Sequence, residues 1–298
     1  MKTIRATTTR LLLTASAAVL LLAGFTTASH AATIYVGNYG NNTIDRFTAG
    51  GVGSVFANTG LSQPYGLAFD STGSLYVANA GNNTIVKFPT GGGATVFANT
   101  GLNTPTGLAF DSTGNLYAAN GNNNTIEKFT PGGVGSLFAN IGLSVPIGLA
   151  FDSAGNLYAA NAGNNTIAKF TLGGVGSLFA NTGLSDPRGL AFDSAGNLYA
   201  ANAGNNTIEK FTPGGVGSVF ASSGVSGPVG LAFDSDGNLY VANSGTDTID
   251  KFTPGGVGSF FANGPNDPSL IAIQVPEPST FAILGIGISA LLALRRRS

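Results

Sequence analysis

Gly66–Phe88 reads GLAFDSTGSLYVANAGNNTIVKF: three short apolar runs separated by turn chemistry, with close copies down almost the whole chain. Its tyrosine, Tyr76, returns as Tyr35, Tyr117, Tyr158, Tyr199 and Tyr240, spaced 41 residues apart. Its Phe69-Asp70 pair returns with the same step at Phe110-Asp111, Phe151-Asp152, Phe192-Asp193 and Phe233-Asp234. A fixed period of this length signals a repeat architecture, in which each unit is one supersecondary element.

Each unit reads as four strands. Strand a is the GLAF run, Gly66–Phe69, followed by a D-S-x-G-N/S turn. In such a turn the Asp side chain bonds the following backbone and Gly takes a positive φ. Strand b is Leu75–Asn79, and an Asn/Gly loop (Ala80–Asn83) leads to strand c, Thr84–Phe88. A Gly-rich turn such as Thr212–Ser218 leads to strand d, as at Val219–Ala221, and a Pro-containing loop returns to the next strand a. Short strands at regular spacing argue for an all-β closed or radial fold. Four strands in one repeat make a blade of a β-propeller. A right-handed β-helix is the competing reading, but its coils are shorter and have no need of four turns per unit.

The ends of the array favour the propeller. The first unit starts at strand b, Thr33–Asn38, and the last stops on Pro268-Ser269-Leu270-Ile271-Ala272-Ile273. That final run matches P-x-G-L-A-F once a one-residue deletion is allowed, and no D-S-x-G turn follows it. A C-terminal strand a pairing with an N-terminal strand b closes a ring and removes exposed edges. The expectation is an all-β, six-bladed β-propeller of four-stranded blades over residues 32–274.

Composition agrees with many strands and tight turns: 45 Gly, 9% charged residues, no Cys and no Trp. Zero cysteines exclude a disulfide framework, thiolate metal sites and Cys nucleophiles. Between Ala32 and Val275, seven Lys plus Arg stand against thirteen Asp plus Glu, a net charge of −6. Nucleic-acid affinity comes mainly from neutralising phosphates, so an acidic body without a basic cluster is set apart from that class.

At the amino end, Lys2, Arg5 and Arg10 precede the apolar Leu11–Phe25, and Ser29-His30-Ala31 supplies small residues at the −3 and −1 positions. This is the tripartite pattern of a secretory signal peptide over residues 1–31, cleaved between Ala31 and Ala32. A membrane anchor is the weaker reading, because the apolar run falls short of the ~20 residues needed to span. The sole histidine, His30, leaves with this segment.

The pattern LYVANxGNNTIxKF resembles the NHL repeat, found in propellers that include gluconolactonase-like and streptogramin-lyase-like proteins. The resemblance runs from Thr33 to about Gln274 and implies the fold rather than an activity. Two columns depart from the NHL pattern, which commonly has Asp where this chain has Asn79, Asn120, Asn161, Asn202 and Asn243, and Arg at Thr84 and its equivalents. Enzymatic relatives of this fold work at the channel mouth with carboxylates around a metal or with a His acid/base. Here residues 32–274 have no histidine, and their only glutamates, Glu127 and Glu209, occupy a strand c column shared with Asp45, Val86, Ala168 and Asp250. That tolerance reads as a half-exposed outer-strand position. The Asp of each D-S-x-G turn reads as a turn former, and Asp234-Ser235-Asp236-Gly237-Asn238 lacks the bidentate acid a calcium loop requires. No cofactor is expected, with Ca2+ the one alternative and no residue set to support it.

The residues flanking the loop proline vary while almost every other column is fixed. They run Gln63/Tyr65, Thr104/Thr106, Val145/Ile147, Asp186/Arg188, Gly227/Val229 and Asp267/Ser269. This loop delivers the chain to the innermost strand, so these side chains are expected to ring one mouth of the channel. Variation confined to the rim of a rigid scaffold marks a binding face, with loop drift as the bland alternative. Gln63, Tyr65, Thr104, Thr106, Asp186, Arg188 and Asp267 are the candidate ligand contacts. The Asn/Gly loops (Asn82-Asn83, Asn164-Asn165 and copies) are expected on the same face, their neutral amides suited to hydroxyl-rich ligands. The sequons such as Asn41-Asn42-Thr43 read as loop composition.

After Gln274 come Val275-Pro276-Glu277-Pro278-Ser279-Thr280, the apolar Phe281–Leu294 and Arg295-Arg296-Arg297. This ending resembles the PEP-CTERM sorting signal, with a plain C-terminal anchor as the alternative. The resemblance implies residues 275–298 as a sorting segment, a transient anchor in the inner membrane, and processing by an exosortase near Pro276-Glu277-Pro278. It further implies a Gram-negative, exopolysaccharide-producing host with the protein at the cell surface or in the matrix. The reading is a non-catalytic binding or structural module, its partners an extracellular polysaccharide or another surface protein. The rival is a metal-dependent lactonase- or lyase-like enzyme acting at the channel mouth.

Overall fold

The D-S-x-G turn forms as its chemistry dictates. Asp111 Oδ1 accepts the backbone N–H groups of Thr113 and Asn115 at 2.9 Å each, and Gly114 takes φ +84°. Such turns lead into a strand b that is buried along its whole length, and a computed structural model shows how the strands assemble. It describes residues 32–274, all strand, turn and loop. The leader and tail readings fall outside these residues. Among the described residues no helix is long and apolar enough to cross a membrane.

Six four-stranded antiparallel sheets are arranged as blades. Blade 2 contains Pro64–Phe69, Leu75–Asn79, Thr84–Phe88 and Thr95–Ala98 in the order a-b-c-d. Blades 3 to 6 repeat this order, starting from Pro105–Phe110, Pro146–Phe151, Pro187–Phe192 and Pro228–Phe233. Blade 1 is the closure blade: Pro268–Gln274 supplies strand a beside Thr33–Asn38, Thr43–Phe47 and Gly53–Ala57. The registers Asn38↔Pro268 and Tyr35↔Ala272 match Asn79↔Pro64 and Tyr76↔Ala68 in blade 2, so the closing strand takes the place of a true strand a without the expected deletion, with Leu270 at the glycine position. Strands b and c have the predicted bounds, whereas strand a begins two residues earlier, at the proline, which pairs with the strand b asparagine.

The six inner strands pack side by side around the channel, in ring order. A Cβ on Gly66 would collide with the Thr106 carbonyl oxygen of the next inner strand, which is why the third residue of P-x-G is glycine. Between blades the core is aromatic. Tyr76 packs edge-on against Phe97 of its own blade (4.9 Å) and Phe110 of the next (5.0 Å), and four other tyrosines of this column repeat that pair of contacts. Such pairs add about 0.5–1.5 kcal/mol each beyond their area burial.

The turn aspartates serve this face. Lys128 reaches Asp111 at 3.8 Å while lying 5.3 Å over the Tyr117 ring, and blades 2 to 6 all repeat the Lys–Asp pair and the Lys over its Tyr. Burial alone would raise the Asp111 carboxyl, but hydrogen bonds from Asn115 and Thr113 outweigh it and hold the group down at about 2.

Candidate functional site at the channel mouth

The strand b asparagine fixes the loop that feeds the mouth. Asn79 is fully buried; its Oδ1 accepts the Ser62 N–H at 3.2 Å, and its Nδ2 donates to Gly60 O at 3.0 Å and Thr84 Oγ1 at 3.2 Å. The two departures from the NHL pattern therefore meet in one contact, a neutral Asn–Thr pair. An aspartate here has no N–H for the Gly60 carbonyl.

A second asparagine ties each loop to the next blade. The Thr104 N–H donates to Asn83 Oδ1 at 2.6 Å, and the same bond recurs from Gln63 to Asn42, Val145 to Asn124, Asp186 to Asn165 and Gly227 to Asn206. In the closure blade, Asp267 donates to Asp247. Both partners of every bond lie in the left-handed region, with φ between 47° and 58°, where Asn and Asp are the best tolerated residues after glycine. The first asparagine of each pair is also engaged: Asn82 Oδ1 accepts the Thr84 hydroxyl at 2.8 Å. These loops lie on the mouth face; their amide oxygens serve the ring itself, while the side chains of Asn82, Asn83, Asn164 and Asn165 remain exposed.

The residue after each proline sits at the top of an inner strand and meets its counterparts around the axis. Tyr65 in blade 2 and Arg188 in blade 5 come from opposite sides of the ring, and both line a cavity of about 240 Å3. Tyr39, Thr104, Thr106, Val229, Asp267 and Ser269 also line it. Tyr39 and Tyr65 meet edge to face at 6.1 Å. Arg188 is held by Asp186, whose Oδ2 accepts both Nε (3.1 Å) and Nη2 (2.9 Å). Burial raises the Tyr65 hydroxyl above its ordinary value and the Asp186 and Asp267 carboxylates add to this, while Arg188 opposes it. Tyr65 is therefore a neutral hydrogen-bond donor at physiological pH.

Of the predicted contacts, Tyr65, Thr104, Thr106, Arg188 and Asp267 come together here. Gln63 and Asp186 do not line the cavity; Asp186 orients Arg188, and Gln63 lies against Gly81. The Thr106 hydroxyl lies 2.8 Å from Pro146 O and 3.2 Å from Ala119 O, so it bridges blades rather than facing a ligand. Ser269 Oγ does the same between Gly37 O and Pro64 O, 2.9 Å from each. Sequence reasoning missed Tyr39. The signal was a broken column, since the other blades have Ala80, Gly121, Ala162, Ala203 and Ser244 at that place.

The strand c carboxylates lie elsewhere. Glu209 is only 5% exposed, and Val86 and Ala168 are buried in the same column, whereas Asp45, Glu127 and Asp250 are half-buried, so the half-exposed reading holds in three blades and not in the other three. Burial raises Glu127 and Glu209, and it raises Asp45 and Asp250 despite their bonds from Asn38 and Asn243. Among the described residues no group of three or more His, Cys, Asp or Glu side chains is placed to share a metal ion. Asp267 is the one carboxylate that lines the mouth cavity; Asp186 is tied to Arg188 beside it, and Asp247 accepts the Asp267 N–H in the neighbouring loop.

These elements define a six-bladed β-propeller with a small polar-aromatic cavity at one channel mouth. The profile of the Virginiamycin B lyase family matches residues 7–252, and the chain belongs to that family. The PEP-CTERM protein-sorting motif matches residues 274–297, which marks an exported protein with a C-terminal sorting signal for exosortase processing. No curated protein matches the chain. Among solved structures, a chain of a nidogen/laminin complex is similar at 22% identity and TM-score 0.74, over 81% of this chain and 98% of that one. A streptogramin B lyase is similar at 18% identity and TM-score 0.65, over 82% and 92%. A catalytically inactive His-to-Ala variant of virginiamycin B lyase from Staphylococcus aureus, solved with quinupristin, matches at 22% identity and TM-score 0.60, over 70% and 73%. At these identities the structural likenesses show the fold.

Proposed function

We propose that the protein is exported through its 1–31 leader and sorted by its tail to the surface or matrix of a Gram-negative bacterium. There its channel mouth binds a neutral, hydroxyl-rich polymer, a polysaccharide, without turning it over. The observation that carries this reading is the cavity itself: the residues that vary between otherwise uniform repeats converge there, around Tyr39, Tyr65 and Arg188. An aromatic pair beside a guanidinium suits a sugar ring, with its apolar faces and hydroxyl edges. A volume of about 240 Å3 lies below the roughly 300–1,000 Å3 of drug-sized pockets, so it takes a ring or a chain end. The mouth loops carry Asp186, Asp247 and Asp267 against Arg188 alone, which favours a neutral polymer over a polyanion. Pull-down on a panel of neutral and acidic polysaccharides tests this; retention unchanged by Tyr65→Ala and Arg188→Ala rules it out.

Family membership favours a second reading, a lyase- or lactonase-like enzyme. The S. aureus lyase is catalytically inactive when one histidine is replaced by alanine. This chain's single histidine, His30, precedes the propeller. No histidine lines the mouth, Tyr65 is held protonated and the Asp186 carboxylate is paired with Arg188, which leaves Asp267 as the one lining carboxylate to act as a base. Incubation with quinupristin followed by mass analysis separates the readings: conversion of the antibiotic supports the enzyme.

A further inference from the structure

The junction between blades 1 and 2 holds a cavity of about 330 Å3 on the face opposite the mouth. Tyr35, Phe56, Phe69 and Phe88 line it together with Arg46 and Gln274. It differs from the other junctions because ring closure changes the residues there. In blades 2 to 6 a lysine reaches the turn aspartate at 3.2–3.8 Å. In blade 1, Gln274 stands in the aspartate's register position and Arg46 in the lysine's. The Tyr35 hydroxyl donates to Gln274 Oε1 at 3.2 Å, and Arg46 Nε donates to Ser54 Oγ at 3.3 Å. Among the described residues Arg46 pairs with no carboxylate, and it is exposed. An arginine without an anion beside an aromatic wall is a seat for a carboxylate on an apolar body.

We propose that this cavity seats the chain's own Pro276-Glu277-Pro278, with the Glu277 carboxylate on the Arg46 guanidinium and the proline rings on the aromatic wall. Gln274 is a wall of the cavity and leads directly into that segment, whose sole charge between Val275 and Thr280 is Glu277. The distances allow it. Tyr35 pairs with Arg46 on one side and Ala272 on the other; two strand spacings of ~4.8 Å, with Gln274 two residues (~6.6 Å) further along, put the Gln274 backbone about 12 Å from that of Arg46. Three extended residues beyond Gln274 span about 10 Å, and the arginine side chain covers the remainder. Arg46 comes from the first repeat and Gln274 from the last, so the seat exists only in the closed ring. Docking there couples the sorting motif to completion of folding.

The test uses the full chain with p-benzoylphenylalanine at position 276, irradiated and mapped by peptide mass analysis. Crosslinks within one molecule to the Tyr35–Thr90 region are expected, reduced at least fivefold by Arg46→Gln and by Glu277→Gln, and retained with Arg46→Lys. Circular dichroism reports whether each variant is folded; if Arg46→Gln is not, Glu277→Gln, which leaves the propeller intact, decides. Crosslinks that are absent, lie elsewhere, join two copies, or are unchanged by both charge-removing variants overturn the proposal.

Discussion

The Thr104 amide donates to Asn83 Oδ1 across the boundary between blades 2 and 3, at 2.6 Å, with both residues in the left-handed region. The bond fixes the mouth loop by joining two repeats at their most constrained backbone positions. Asn83→Ala removes the acceptor and puts a Cβ without local compensation at φ 55°. The expected loss is about 2–3 kcal/mol, from an unmade hydrogen bond and left-handed strain. Asn83→Gly relieves the strain and loses less. Asn83→Asp is near neutral, because Asp247 already does this work at the closure. Urea melts of the three variants check the order Asp, Gly, Ala.

Acid should unfold the protein by removing its turns. Asp70, Asp111, Asp152 and Asp193 are all held below the ordinary carboxylate value; burial opposes this, and hydrogen bonds from the turn outweigh it. A depressed folded pKa contributes stability that is present above the unfolded value and lost as pH falls through the folded one. For Asp111, at about 2 against 3.8, the contribution at neutral pH is roughly 2 kcal/mol. Asp111→Asn therefore lowers Tm at pH 7, and the gap between variant and parent narrows from about pH 4 to pH 2.

Glu209 has the opposite sign. Burial raises its carboxyl, so the ionised group opposes folding at neutral pH and the opposition fades as pH falls through the raised value. Glu209→Gln is expected to melt higher than the parent at pH 7 and to match it near pH 4. Calorimetry at the two values checks this.

In blades 2 to 6 the inner strands leave no room for a side chain at the P-x-G glycine, whereas the closing strand holds Leu270 there. A Cβ on Gly148 meets the Arg188 carbonyl oxygen of the next blade. Gly148→Ala is expected to cost at least about 1–3 kcal/mol, as overpacking does, and to displace Arg188 at the mouth. Chemical denaturation reads the first effect and ligand retention the second.

The fold was largely legible in the sequence because the blade is written in local chemistry: turn aspartates, glycines and alternating apolar runs. Strand d proved two residues longer at its start, since Gly217 has no side chain to signal a strand, yet it packs on the Phe211 ring. The mouth was legible as a column that varies, which found Tyr65 and Arg188. What single repeats cannot display is a contact between them. The Asn83–Thr104 bond spans 21 residues and two blades, so its asparagine looked like spare loop polarity. Tyr39 was missed because its own column is otherwise small and constant, and the Arg46–Gln274 substitution acquires meaning only once the ring closes.

The central claim is that the channel mouth binds a neutral polysaccharide. Its most direct measurement is affinity electrophoresis of the purified propeller through gels containing neutral polysaccharides, with Tyr65→Ala and Arg188→Ala alongside. The account predicts retardation of the parent on at least one neutral polymer, weakened at least tenfold in both variants while their melting temperatures hold. Equal retardation of parent and variants, or retardation of none on any neutral polymer, contradicts it.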